Sequence, residues 1–217
     1  MPVLASDIAT LARGIISDGV ADNFSRDDLT AQSDGSNKRF TLVNRNLVAT
    51  PSVVLVGGVS VTPASVDLVG GSMTLTVAPT EGQQVLVEYN FFLVSDASMQ
   101  GFVTQAALWC GAPNDFTWPS GVVKLPDPGL LNAAGLYAGF LSAKKLASGT
   151  TWYYSGGSGG KSFNKDSISA KWKALADELK ADAETARVDP YSRYARRNIP
   201  STSLGNMGGF GNWTPPR

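Results

Sequence analysis

Hydrophobic positions change their spacing along the chain, and each change marks an element. Leu4, Ile8, Leu11, Ala12, Ile15 and Ile16 fall at helical intervals over residues 4–17, with Asp18-Gly19 as a stop, which predicts a short amphipathic helix. Residues 22–37 are polar, carry Asp34-Gly35 and read as a connection. From residue 38 to 92 the interval drops to two and the apolar positions become β-branched or aromatic. Phe40 and Leu42 open this stretch. Residues 52–56 and 59–61 flank Gly57-Gly58, and residues 66–69 and 72–77 flank Gly70-Gly71, so two hairpins are predicted at glycine pairs that supply positive φ angles. In residues 84–92, Val85, Val87, Tyr89 and Phe91 alternate with Gln84, Leu86, Glu88 and Asn90, the pattern of a strand with one wet face.

Helical spacing then returns. Ser95 or Asp96 caps a stripe of Met99, Phe102, Val103, Ala106, Ala107 and Cys110. A proline- and aromatic-bearing loop, 113–128, leads to an alanine-rich helix over 128–148 with Leu130, Leu131, Ala134, Tyr137, Ala138 and Leu141 inward and Gly149 at its end. After Asp166, Ile168, Trp172, Leu175, Leu179, Ala183 and Ala186 form the clearest stripe, opposed by charged residues and ended by Asp189-Pro190. The sum is an α+β chain: a helical bundle with an antiparallel β-meander module and an extended C-terminal arm. Its expected divisions are 1–37 (N-terminal helix and polar connection), 38–94 (β module), 95–190 (helical region with a Gly/Ser-rich link at 155–162) and 191–217 (arm).

The arm has no periodicity and too little apolar content to fold alone. It nevertheless carries Tyr191, Tyr194, Ile199, Leu204, Met207, Phe210 and Trp213, spaced as anchors for a partner surface. Charge supports the same idea. Eighteen bases balance eighteen acids overall, but residues 1–96 hold ten acids against five bases, and residues 187–217 hold five arginines (Arg187, Arg193, Arg196, Arg197, Arg217) against Asp189. An acidic front and a basic tail favour head-to-tail contact with a second copy or docking on an acidic partner. With 43% hydrophobic residues over 217, the chain can bury a core. No apolar run approaches the roughly 20 residues that cross a bilayer, and Asp7 and Arg13 interrupt the first segment where a signal peptide is apolar, so neither a membrane span nor a leader is expected.

Candidate chemistry is scarce. Without histidine and with Cys110 as its one cysteine, the chain lacks Ser-His-Asp and Cys-His pairs and the usual zinc ligand sets; Cys110, inside an apolar stripe, reads as a small buried hydrophobe. Asp27-Asp28, Asp177-Glu178 and Asp182 with Glu184 read as solvated charges in a connection or on a helix face. The stretch "YYSGGSGGKS" ends like a phosphate-cradling loop in Gly160-Lys161-Ser162, but the glycine that such a loop needs five residues before Gly160 is Ser155. No buried parallel strand precedes it and no later strand ends in a magnesium-binding aspartate. The stretch therefore reads as a compliant link between two helices, with Gly156, Gly157, Gly159 and Gly160 as its joints, Trp152, Tyr153 and Tyr154 as the anchor before it and a cap at Asn164 or Asp166 after it. No cofactor and no metal is expected.

The order of elements carries more than any motif. A short helix, a glycine-turned β segment "GGSMTLTVAPTEGQQVLVEYNFF", helices, the "YYSGGSGGKSFNKDS" link, another helix and a basic-aromatic tail resemble small virion proteins of tailed bacteriophages, in particular the head-to-tail connector group (adaptor, neck or head-completion proteins). The matching residues are 66–68, Gly70-Gly71, 73–77, Ala78-Pro79, Gly82 and 85–89. The resemblance implies a non-enzymatic structural protein of the virion neck, made in the host cytoplasm. It implies a homo-oligomeric ring matched to the portal's twelvefold symmetry, contacts with portal protein and with a tail or other neck protein, and transient non-specific passage of DNA along the axis. Tyr191, Arg193, Tyr194, Arg196, Arg197, Phe210 and Trp213 would then touch the portal or a neighbouring subunit. Glycine-turned β segments also occur in tail, baseplate and fibre proteins, the alternative reading, with a nucleotide-binding enzyme at Lys161 as a remote one.

Overall fold

The computed structural model describes residues 2–19, 22–149 and 165–190. It is a mixed α and β structure with four α-helices and antiparallel sheets among the described residues. Two compact units divide it: residues 18–95 form one, and residues 2–17 join the described residues after 95 in the other. The link at 155–162 and the arm at 191–217 lie outside the described residues.

The β unit holds β2 (Phe24–Asp28), β3 (Arg39–Thr41), β4 (Val53–Val56), β5 (Val59–Ser60), β6 (Ser65–Asp67), β7 (Ser72–Thr74) and β8 (Val85–Asn90). Both predicted hairpins form. β4 pairs with β5 around Gly57 and Gly58, whose φ angles of 58° and 82° a side chain would resist, and β6 pairs with β7 around Gly71 at φ 66°. The strands do not run as one meander, however: the sheets are β2-β8-β4-β5 and β3-β7-β6. β8 takes the central place of the first because it is the longest strand of that unit whose inner positions Val85, Val87 and Tyr89 are all apolar or aromatic, and it pairs along its length with both β2 and β4. Phe40, Met73 and Leu75 from the second sheet side join Val54, Val85, Val87 and Tyr89 in one buried cluster, so the two sheets share a core.

β2 corrects the reading of residues 22–37 as a connection. Its sequence FSRDD has no hydrophobic alternation, and Asp27 is the only one of its five residues that is buried. Five register pairs with β8, from Phe24 opposite Asn90 to Asp28 opposite Leu86, hold it at the sheet edge.

In the helical unit, α1 (Ala5–Ile15), α2 (Asp96–Trp109), α3 (Leu131–Gly149) and α4 (Lys165–Val188) fall where the helical spacing predicts them. A 3₁₀ turn at Pro128–Leu130, capped by Asp127 on the Gly129 N–H at 2.8 Å, leads into α3. α1 packs on α3 through a close approach: an added Cβ at Gly135 would lie 2.8 Å from Leu11 Cβ, and one at Gly139 3.3 Å from Ile15 Cγ2. α4 lays Trp172, Leu175, Leu179, Ala183 and Ala186 into the unit's core, all of them buried. A short ribbon of β1 (Val3–Leu4) and β9 (Val122–Val123) ties the loop after α2 to the start of α1, where Ala5 and Ser6 donate their otherwise orphaned N–H groups to the carbonyls of Gly121 and Pro119. Buried Arg13 reaches Asp96 Oδ1 at 2.8 Å and so joins the end of α1 to the start of α2.

Candidate interaction surfaces

The residues singled out in the sequence for partner binding, Tyr191, Arg193, Tyr194, Arg196, Arg197, Phe210 and Trp213, and the link glycines Gly156, Gly157, Gly159 and Gly160 all lie outside the described residues, as does Lys161. Three other constellations are on view, one in the helical unit and two in the β unit.

In the helical unit, α2 and α3 border a shallow, open groove of about 430 Å³. Phe102 and Leu141 make its apolar floor, and Gly101, with no side chain, opens it. Its rim carries Ser98, Gln105 and Ser148 with the exposed, consecutive lysines Lys144 and Lys145, and no carboxylate lines it. Lys145 is steered: its ammonium donates to Ser98 Oγ and lies 6.0 Å from the Phe102 ring centre, while that of Lys144 lies 6.0 Å from the Phe140 ring. Other aromatics of the same helices pack on one another. Trp109 and Tyr137 stack with ring centres 4.4 Å apart and planes 7° from parallel, Tyr137 tilts against Phe140 at 5.4 Å, and the Arg187 guanidinium lies 4.7 Å over Trp109. These contacts clamp α2, α3 and α4 together. Nearby Cys110 is buried, and burial pushes its thiol up to about 11, against the opposing pull of Arg187.

In the β unit, polar chemistry is mostly internal. Asp27, expected in solvent, is 4% exposed. Its carboxylate accepts from Tyr89 Oη at 2.7 Å, from the Val43 N–H at 2.7 Å and from Ser25 Oγ at 2.8 Å. Tyr89 Oη in turn accepts from the Asn44 N–H at 3.0 Å. Burial first, and the adjacent carboxylate second, push the Tyr89 hydroxyl up to about 12. Asp18, fully buried, accepts from the N–H groups of Leu93 and Val94 and from Asn23. Such carboxylates are satisfied rather than reactive.

At one end of the same unit, two loops lie together. The Gly82 N–H donates to the Ser33 carbonyl at 2.9 Å, and a Cβ at Gly35 would sit 3.7 Å from the Glu81 nitrogen. Exposed at this end are the carboxylates Asp34 and Glu81 and the cation Lys38, whose carbonyl accepts from the Leu75 N–H at 2.8 Å, with Val77 74% exposed four residues before Glu81. Asp34 accepts from the Ser36 N–H at 2.8 Å and from the Asn37 N–H, which hold its carboxyl below the usual range and keep it charged.

Among the described residues no three His, Cys, Asp or Glu side chains gather as a metal site, and no helix is long and apolar enough to cross a membrane. No protein-family model, no curated protein and no solved structure matches the chain.

Proposed function

We propose that the chain is a structural protein of a tailed-phage neck, a homo-oligomeric ring that joins portal to tail and surrounds the DNA path. In finer terms this is a helical bundle that forms the ring wall, an antiparallel β module carried on it and a C-terminal arm that docks on the portal. The observation that carries the reading is the order of elements: a helix, two hairpins turned on glycine pairs, a long tyrosine-bearing strand, and then three helices followed by an arginine- and aromatic-bearing segment. The polar groups of the β unit support a structural role, because its two buried carboxylates spend their lone pairs on holding loops to strands.

Electron microscopy of the purified protein with portal tests this. The expected image is a ring stacked on the portal in matching symmetry, and deletion of residues 191–217 should abolish docking. A copy number of three per particle would assign the chain to a fibre instead, and full docking by the shortened chain would remove the arm from the mechanism.

A further inference from the structure

The groove on the helical unit and the paired-loop end of the β unit are complementary in charge and in polarity. The groove has an apolar floor, Phe102 and Leu141, beside two ammonium groups with no carboxylate among its lining residues. The loop end has two exposed carboxylates, Asp34 and Glu81, on loops bonded to one another, with exposed Val77 four residues before Glu81; Lys38, bonded through its carbonyl to the Leu75 N–H, leaves the three charges at a net of −1 against the two lysines. The imbalance extends beyond these side chains: residues 18–95 carry eight acids against four bases, a net of −4.

We infer that the occupant of the groove is a second copy of this chain, with Val77 of one copy seated over Phe102 and Leu141 of the next and Asp34 and Glu81 facing Lys144 and Lys145. The lining favours a folded protein surface over a nucleic-acid backbone, since its floor is apolar and only two cations stand at its rim, where a polyanion would call for a longer basic track. The two surfaces are different patches of the same chain, so the contact is heterologous, the type that generates rings or filaments rather than closed dimers. Preset geometry lowers its entropic cost. Lys145 is held by Ser98 and Phe102, and Asp34 by the two N–H groups it accepts from, so neither loses much side-chain freedom on contact. This contact rests on the ring reading above and names the surfaces by which copies would meet.

Charge reversal tests it in the full-length chain. One variant is Lys144→Glu with Lys145→Glu, giving a copy with acidic groove and acidic loops; the other is Asp34→Lys with Glu81→Lys, giving a copy with both surfaces basic. In sedimentation velocity the wild type should self-associate with rising concentration and dissociate with added salt, since screening shortens to about 3 Å at 1 M. Each variant alone should stay monomeric at the concentration where the wild type assembles, and an equimolar mixture should assemble again, with both variants in equal amounts by native mass spectrometry. Circular dichroism melts matching the wild type would show that the exposed substitutions leave the fold intact. The inference is overturned by variants that assemble as well as the wild type, by a mixture that stays monomeric, or by a wild type that stays monomeric up to about 1 mM. It is equally overturned if Lys144→Glu with Lys145→Glu loses affinity for a duplex DNA probe while self-association is unchanged. Portal docking is read separately: rings on the portal that survive both reversals sink this contact alone, whereas restored assembly in the mixture without any portal docking by the wild type sinks the neck role alone.

Discussion

Tyr89→Phe removes one oxygen atom from the interior of the β unit and keeps the ring. Three bonds go with it, the 2.7 Å donation to Asp27 and the acceptances from the Asn44 N–H at 3.0 Å and from Asn44 Nδ2 at 3.3 Å, the last of which part-exposed Asn44 can replace with water. A hydrogen bond to a charged acceptor contributes about 1.5–3 kcal/mol, and an orphaned donor costs about 1–3 kcal/mol, with the lower figure apt for Asn44 because it is only half-buried. Asp27 keeps Val43 and Ser25, so its charge is not stranded. The expected loss is about 2–4 kcal/mol, which for a unit of this size lowers its thermal midpoint by roughly 8–30 °C in calorimetry at pH 8. A pH signature separates this from a mere packing defect. The hydroxyl titrates near 10.0 in an unfolded chain and about 12 in the folded one, so its stabilising contribution is complete below pH 10 and fades as pH rises toward 12. Wild type should therefore lose more stability than Tyr89→Phe between pH 9 and 11. A midpoint within about 2 °C of wild type at pH 8, or identical alkaline losses in the two proteins, would refute the reasoning.

Gly71→Ala should destabilise the β unit by more than about 2 kcal/mol in urea titration, because φ is 66° there and the added Cβ would meet the Asn44 carbonyl oxygen at 2.4 Å; the same change at Gly58, where nothing lies within 4 Å, should cost less. The Cys110 thiol, pushed from 9.0 to about 11, should react with a thiol reagent at pH 8 roughly a hundredfold more slowly than in urea-unfolded protein, and labelling at the unfolded rate would contradict its burial.

The helices were legible because each of them repeats its apolar stripe over several turns. In α4 the positions Trp172, Leu175, Leu179, Ala183 and Ala186 all proved buried. The hairpins were legible because Gly57-Gly58 and Gly70-Gly71 write their turn geometry into the sequence. Strand β2 was hidden for the opposite reason. Its inward residue is an aspartate, hydrogen-bonded by a tyrosine 62 positions away, and hydrophobic alternation cannot report a strand stabilised by such a network. The β1–β9 ribbon, with two residues a side, is too short to impose a period. Which strands become neighbours was equally out of reach, since β8 settles between β2 and β4 through pairings far apart in the chain. Lys144 and Lys145 drew no notice because a lysine pair on a helix is ordinary until Gly101 and Phe102, on another helix, shape the surface beside it.

The carboxylate of Asp18 has a meaning for the chain's architecture beyond its hydrogen bonds. By holding the N–H groups of Leu93 and Val94, it pinches together the first and last residues of the 18–95 unit, so the two ends of that segment lie side by side. A segment whose two ends are stapled side by side behaves as a cassette: it can be lengthened, exchanged or excised at those ends without re-threading α1, whose partners α2 and α3 are written only after it. The helical unit can thus stay constant while what it carries is rewritten.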